Sequence, residues 1–381
     1  MAIPHKELDQ RIKKLKTELN ELDAILVFSP LNIYYFTNTF VKGVLVCKKD
    51  ETFLLVVRPL SRAIKESNVR AERLKSLKEL PQVLKSCKRI GIEKNYFKGE
   101  GLNRFKTLMQ DFELVGIDEL LWNIRFVKSE REINFVKMAS RILGRCLRKA
   151  LAQIKPGMNE VEASAILERE LRLSGHPGFT RSTNGFELTY GYFISGKEGL
   201  FPTHFSTGEG GKGLPGFPGG ATLKELKQGE PILIDFGGYY KGYYTDQTRM
   251  VSFGKVKEAK EFFDASLKVM GFLEKTVLPG RTAEEVYEEC VEFVRNLGYE
   301  NYFMKHGEDL GFVGHGVGLE IDEPPYIAKK QSLILKENMV LAFEPKFHVP
   351  GLGVIGLEDT FVVKKQGLQR LTSFKRRWIE L

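Results

Sequence analysis

Between residues 232 and 250 the chain reads ILIDFGGYYKGYYTDQTRM, in which Asp235 follows an apolar run and Asp246 follows a tyrosine pair, with Tyr-Lys-Gly between them as a turn. An ionised carboxylate on a strand bound for the interior loses its hydration, at a cost of several kcal/mol or more unless something replaces that water. A second pair stands near the C-terminus, where Glu344 ends VLAF and Glu358 precedes Asp359 and Thr360. In each half one carboxylate ends an apolar strand, and another is followed two residues later by threonine: Asp246 before Thr248, Glu358 before Thr360. Four buried anions brought together push one another's pKa values up, and desolvation pushes the same way, so cations must accompany them. Oxygen-rich sites select hard or borderline divalent metals, and four carboxylates balance two dications. His315, between glycines in VGHGVGLE, supplies one more ligand type. Imidazole suits manganese, cobalt, iron or zinc better than magnesium or calcium.

The elements that must position these side chains form an internal repeat. The segment KPGMNEVEASAILERELRLSG (155–175) and the segment LPGRTAEEVYEECVEFVRNLG (278–298) both carry Pro-Gly, then Asn159 or Thr282 as N-cap, then a helix that stops at glycine. Each is followed by a strand pair that bears two of the carboxylates. Repeated units often pack around a shared core, and a pseudo-twofold arrangement would gather all four acids. Ahead of the first copy, KSEREINFVKMASRILGRCLRKALAQI reads as a long amphipathic helix with a Ser-Glu start. Residues 1–124 alternate a helical pattern (KELDQRIKKLKTELNEL), the apolar runs AILVF, NIYYFTN, GVLVC and TFLLVV, and shorter alternations near ELPQVLKSC and LNRFKTLM. That texture predicts an α/β N-terminal domain, followed by an α+β catalytic domain over 125–381 that contains the repeat.

Composition limits the alternatives. The 381 residues, 42% hydrophobic and 28% charged, suit two globular domains. No apolar run approaches the roughly 18 residues that would span a bilayer, and the charged start MAIPHKELDQRIKK has no apolar signal region. The reading is a cytoplasmic chain with no membrane partner. The net charge of +9 is scattered, with FKRRW its one tight cluster, which argues against a nucleic-acid partner. Cys47, Cys87, Cys146 and Cys290 form no C-x-x-C pair and read as reduced and chemically idle.

ILIDFGGYYKGYYTDQTR, GHGVGLE, FEP and LEDT resemble the dinuclear metal motifs of the creatinase and methionine aminopeptidase (pita-bread) fold, in its Xaa-Pro dipeptidase and aminopeptidase branch. The resemblance covers nearly the whole chain. It implies two divalent ions, manganese or cobalt first and zinc or iron as alternatives. Asp235 would hold one, Asp246 and Glu358 would bridge both, and His315 and Glu344 would complete the other. Paired metals share a water, lower its pKa towards neutrality and polarise a carbonyl. His204, in FPTHFS, matches the family's histidine expected at the substrate carbonyl, and Glu344 the glutamate assigned as proton shuttle. Thr248 and Thr360 would fix the carboxylates. The implied substrate is a short proline-containing peptide, and the implied assembly a homodimer.

Three positions depart from the family pattern. Asp322 stands where a second histidine is usual, seven residues after His315; it suggests a counter-ion for a cationic substrate group, and His348 is a candidate replacement for the histidine. Gly356 replaces an arginine two residues before the last glutamate, and Lys346 replaces the glycine after Glu-Pro. These changes leave open a C–N hydrolase or lyase acting on a small non-peptide molecule. A non-catalytic binding module would be expected to lose the ligands, and all five are present. The Gly-rich stretch STGEGGKGLPGFPGG (206–220) reads either as a mobile flap over the site or as a loop without a role.

Overall fold

The computed structural model describes residues 3–183, 185, 188–205, 207–305 and 308–381. They divide into two compact units, Met1–Arg125 and Phe126–Leu381.

The first unit is built on strands β1 (Ala24–Val27), β2 (Lys42–Lys48), β3 (Thr52–Arg58), β4 (Arg70–Arg73), β5 (Arg89–Ile92) and β6 (Glu113–Gly116), in the spatial order β4-β3-β2-β1-β5-β6. β2 pairs antiparallel with both β1 and β3, while β3–β4, β1–β5 and β5–β6 are parallel. Alternate residues (Ala24 and Leu26; Val44 and Val46; Phe53 and Leu55; Ile90 and Ile92) enter one core with Phe105 and Met109, as the period-2 side-chain alternation of strands requires. Helices α1 (His5–Lys16), α2 (Pro30–Thr37), α3 (Leu60–Glu66), α4 (Leu80–Val83) and α5 (Gly101–Leu108) flank the strands in sequence. Three of the four apolar runs are strands. The fourth, NIYYFTN, lies in α2, where Pro30 presets the first turn and Asn38, left-handed at φ 60°, ends it. Six of the eight residues of α2 are buried, so the helix shows no polar face to betray its period.

Helix α6 (Asp118–Phe126) leads into the second unit, which opens with α7 (Glu130–Leu151). Ser129 and Glu132 form a capping box there, the structural form of the Ser-Glu start. The repeated helices are α8 (Glu160–Leu173) and α10 (Ala283–Asn296), with α9 (Lys257–Thr276) between them. Asn159 caps α8 with Glu162, and Thr282 caps α10 with Glu285; Gly175 and Gly298 follow at φ 98° and 84°. After α8 come β7 (Gly191–Ser195), β8 (Pro231–Tyr240) and β9 (Tyr243–Ser252), the last two joined by the Lys241-Gly242 turn. After α10 come β10 (Phe312–Gly316), β11 (Glu323–Ala328), β12 (Val340–Phe343), β13 (Lys346–Val349), β14 (Gly353–Gly356), β15 (Asp359–Lys364) and β16 (Gly367–Arg370). The order in that sheet is β11-β10-β12-β15-β16, with β13 and β14 forming a separate hairpin. Helix α7 packs across β8 and β9. The tyrosine doublets face each other across the β8–β9 turn, and Tyr243 and Tyr244 are buried.

Candidate metal centre

Strand register brings the predicted ligands together. Asp235 lies on β8 opposite Thr248 of β9, and Asp246 lies opposite Gly237. His315 is on β10, opposite Ala342 of β12. Phe343, the last residue of β12, pairs with Asp359, the first of β15. Glu344 and Glu358, one residue outside that pair, therefore emerge at the same end of the sheet. One ligand atom each from Asp246, His315 and Glu358 lie within 4.8 Å of one another. His315 Nε2 is 3.6 Å from both Glu344 Oε1 and Glu358 Oε1.

The threonines hold this set in different ways. The Thr248 hydroxyl lies 2.5 Å from Asp235 Oδ2 and 3.0 Å from Glu358 Oε2, so it links a carboxylate from each half. Thr360 works through the main chain: its hydroxyl accepts from Asp246 N–H at 2.8 Å and donates to Asp246 C=O at 2.9 Å. Gln247 N–H donates to Asp246 Oδ1 at 2.9 Å. His315 Nδ1 faces the Gly316 carbonyl at 3.2 Å, and the tautomer that donates there leaves Nε2 its lone pair for a metal.

The electrostatics call for cations. Burial, then Glu358 and Asp235, raise Asp246 well above the usual carboxylate range. Burial, Asp235 and Glu344 push Glu358 up to about 7. Burial alone would lower His315, but Glu358, Glu344 and Asp246 raise it to about 10. Glu358 Oε1 is buried with no hydrogen-bond partner. An orphaned buried carboxylate oxygen beside two further ligand atoms fits a divalent ion, which would take up that lone pair and relieve the repulsion.

All five predicted ligands line one cavity of about 370 Å³, within the size range of small-molecule sites. Asp322 lines it too, fixed by the Ser182 hydroxyl at 2.6 Å and Thr183 N–H at 2.7 Å. His204 does not: it is exposed, packed at a tilt against Phe205 at 4.1 Å between ring centroids, and stands outside the cavity lining. Its place on an exposed loop was not visible in the residue pattern. His348, buried on β13 opposite Val354, is outside the lining as well. Of the remaining histidines, His176 is buried against Tyr190, and His306 lies outside the described residues.

Four charged residues of the site were not anticipated as members. Arg249, fully buried on β9, donates to the carbonyls of Thr248 and Glu358 (both 2.7 Å) and to Asp359 Oδ1 (2.6 Å), locking the two ligand-bearing strands together. Its signal was a single Arg beside Thr248 and a single Asp beside Glu358. Lys346 and Glu209 meet beside Asp235 and Glu344; the first was visible only as an unusual residue after Glu-Pro. The buried Glu209 also shows that the start of the Gly-rich stretch is part of the cavity wall, not a free flap.

Residues 134–365, more than half of the chain, match Metallopeptidase family M24, and residues 11–127 match the Creatinase/Prolidase N-terminal domain. The chain belongs to metallopeptidase family M24. Among its relatives in that family, it is 28% identical to the Xaa-Pro dipeptidase of Pyrococcus furiosus over 97% of this chain and 99% of that one. Among solved structures it is similar to the X-Pro aminopeptidase of Thermotoga maritima (TM-score 0.81, 28% identity, 96% of this chain and 100% of that one). It is also similar to the Xaa-Pro dipeptidase of Bacillus anthracis (TM-score 0.83, 25% identity, 98% and 100%). The M24 fold is the pita-bread fold that the resemblance implied, and the chain is a metallopeptidase.

Proposed function

We propose that this metallopeptidase hydrolyses the peptide bond that precedes proline in short peptides, as an Xaa-Pro dipeptidase or aminopeptidase. The observation that carries the reading is the convergence of Asp235, Asp246, His315, Glu344 and Glu358 on one cavity in a chain similar over its whole length to named Xaa-Pro dipeptidases. Those five side chains would hold two divalent ions, manganese or cobalt before zinc or iron given one imidazole among oxygens. Bound metal supplies Lewis-acid activation of a water and of the scissile carbonyl. The chain's own groups do the rest. Glu344, with Oε1 towards His315 and Oε2 held by Lys346, would carry a proton to the leaving proline nitrogen. Asp322, held by Ser182 and Thr183, presents an anion to the free α-amine of a dipeptide. Thr248 and Arg249 keep the ligand strands in register.

Cytoplasmic location and a homodimer complete the proposal. The four cysteines are buried and unpaired, which supports a reducing compartment, and no described helix is long and apolar enough to cross a membrane. The deciding experiment is hydrolysis of Xaa-Pro dipeptides, Xaa-Pro-Xaa tripeptides and proline-free controls by protein loaded separately with manganese, cobalt and zinc. Cleavage confined to proline substrates is expected. Metal binding without cleavage of any peptide would redirect the search to small non-peptide amides. Sedimentation of the same preparation tests the dimer.

A further inference from the structure

We propose that Lys346 and Glu209 are positioning residues acting as one neutral pair: the Lys346 ammonium orients the Asp235 and Glu344 carboxylates for turnover, while Glu209 cancels its charge, so that the pair leaves the metal affinity intact, and ties the Gly-rich segment to the site. The inference rests on the metal assignment above. Lys346 Nζ lies 2.7 Å from Asp235 Oδ2, 2.9 Å from Glu344 Oε2 and 2.5 Å from Glu209 Oε2. An ammonium has three protons to give, and these three acceptors use them all. Lys346 is 1% exposed and Glu209 3%, so neither charge has water to fall back on. A buried charge whose partner is removed is far more costly than the pair itself.

The surrounding backbone is shaped for this contact. The two unusual residues near the last glutamate, Lys346 and Gly356, are direct partners across the β13–β14 hairpin. A Cβ at position 356 would lie 2.8 Å from Lys346 Cα and Cγ, so the lysine stem occupies the space that a side chain at 356 would need. A Cβ at Gly208 would lie 2.0 Å from Glu344 Oε2, so only glycine lets the segment bring Glu209 this close. Beyond Glu209, Gly210 N–H and Gly211 N–H bond to the carbonyls of Gly199 (2.9 Å) and Phe201 (3.0 Å), which fixes the strap on its outer side.

Charge balance explains why the residues come as a pair. Lys346 cancels Glu209, which leaves the four ligand carboxylates to match two dications. Removing either member shifts that balance in a known direction. Glu209→Gln keeps the shape but leaves the ammonium uncancelled beside the ions. Lys346→Met keeps most of the stem but leaves an extra anion and releases Asp235 and Glu344.

The test is a double-mutant cycle on the full chain, read by manganese affinity in competition with a chelator and by kcat and KM on a proline dipeptide. Glu209→Gln should weaken manganese binding at least tenfold. Lys346→Met should hold manganese at least as tightly as the parent while kcat falls at least tenfold and KM changes little. The double variant should bind manganese within about threefold of the parent. Losses of affinity in both single variants that add in the double variant overturn the proposal, as does parental affinity in Glu209→Gln. If Lys346→Met does not fold, the Glu209→Gln affinity alone decides. A parent chain that binds no manganese overturns both this proposal and the hydrolase reading; normal hydrolysis by the parent with parental affinity in Glu209→Gln overturns this one alone.

Discussion

Asp246 ties the first strand pair to the second. Its main chain is clamped by Thr360, its Oδ1 by the Gln247 N–H, and one of its carboxylate oxygens lies in the cluster with His315 and Glu358. Asp246→Ala should therefore abolish stable manganese binding and lower turnover by roughly 100-fold or more; equilibrium dialysis and a dipeptide assay check the two together, and tight retention of metal would remove Asp246 from the ligand set. His204 gives the opposite expectation. Because its ring is exposed and stands outside the cavity lining, His204→Ala should fall well short of the roughly 100-fold loss produced by deleting a positioned donor. A loss of that size, measured as kcat, would mean that the loop carrying His204 turns onto the substrate.

At the scale of elements, the site depends on two ligand strands from different halves staying in register. Arg249 and Asp359 supply that link from within the protein core, where both side chains are fully buried. Asp359→Ala strands the guanidinium, and the expected cost is about 3 kcal/mol or more in urea unfolding. Because Arg249 also bonds the carbonyls of Thr248 and Glu358, the same variant should weaken metal binding; unchanged manganese affinity in a folded variant would show that the link is structural only. The repeated helices have their own local determinants. Thr282→Ala, which removes the α10 cap, should cost about 1 kcal/mol. Catalysis should be untouched, since no residue of the α10 cap lines the cavity.

For the whole molecule, metal and stability are coupled through charge. Glu358, raised by burial, Asp235 and Glu344 from 4.5 to about 7, keeps its proton in the folded, metal-stripped chain over a range where the unfolded chain has lost it. His315, against the pull of burial, is raised by Glu358, Glu344 and Asp246 from 6.5 to about 10 and acts in the same direction. A group with a raised folded pKa contributes stability that is present below its unfolded pKa and lost as pH rises through the folded value. The chelator-stripped protein should therefore lose stability from about pH 4.5 upwards through pH 7, while the manganese-loaded protein should not. Urea midpoints of both forms across that range provide the check, and parallel profiles would contradict the coupling.

The repeat, the capped helices and the carboxylates that converge on one cavity were legible in the chain because each is a local conflict or a local signal. A carboxylate at the end of an apolar strand contradicts its surroundings, and Asn159-Glu162 or Thr282-Glu285 is a short-range cap. What the tertiary structure alone decided is which charges meet. Lys346 and Glu209 are 137 residues apart, and neither position contains the information that they share Asp235 and Glu344. The same holds for Arg249 and Asp359, and for the exposed place of His204 outside the cavity lining. Local sequence specifies dihedral preference and period, which act over a few residues. Desolvation and Coulomb attraction depend on distance in space, and that distance is set only when the sheets have closed around the site.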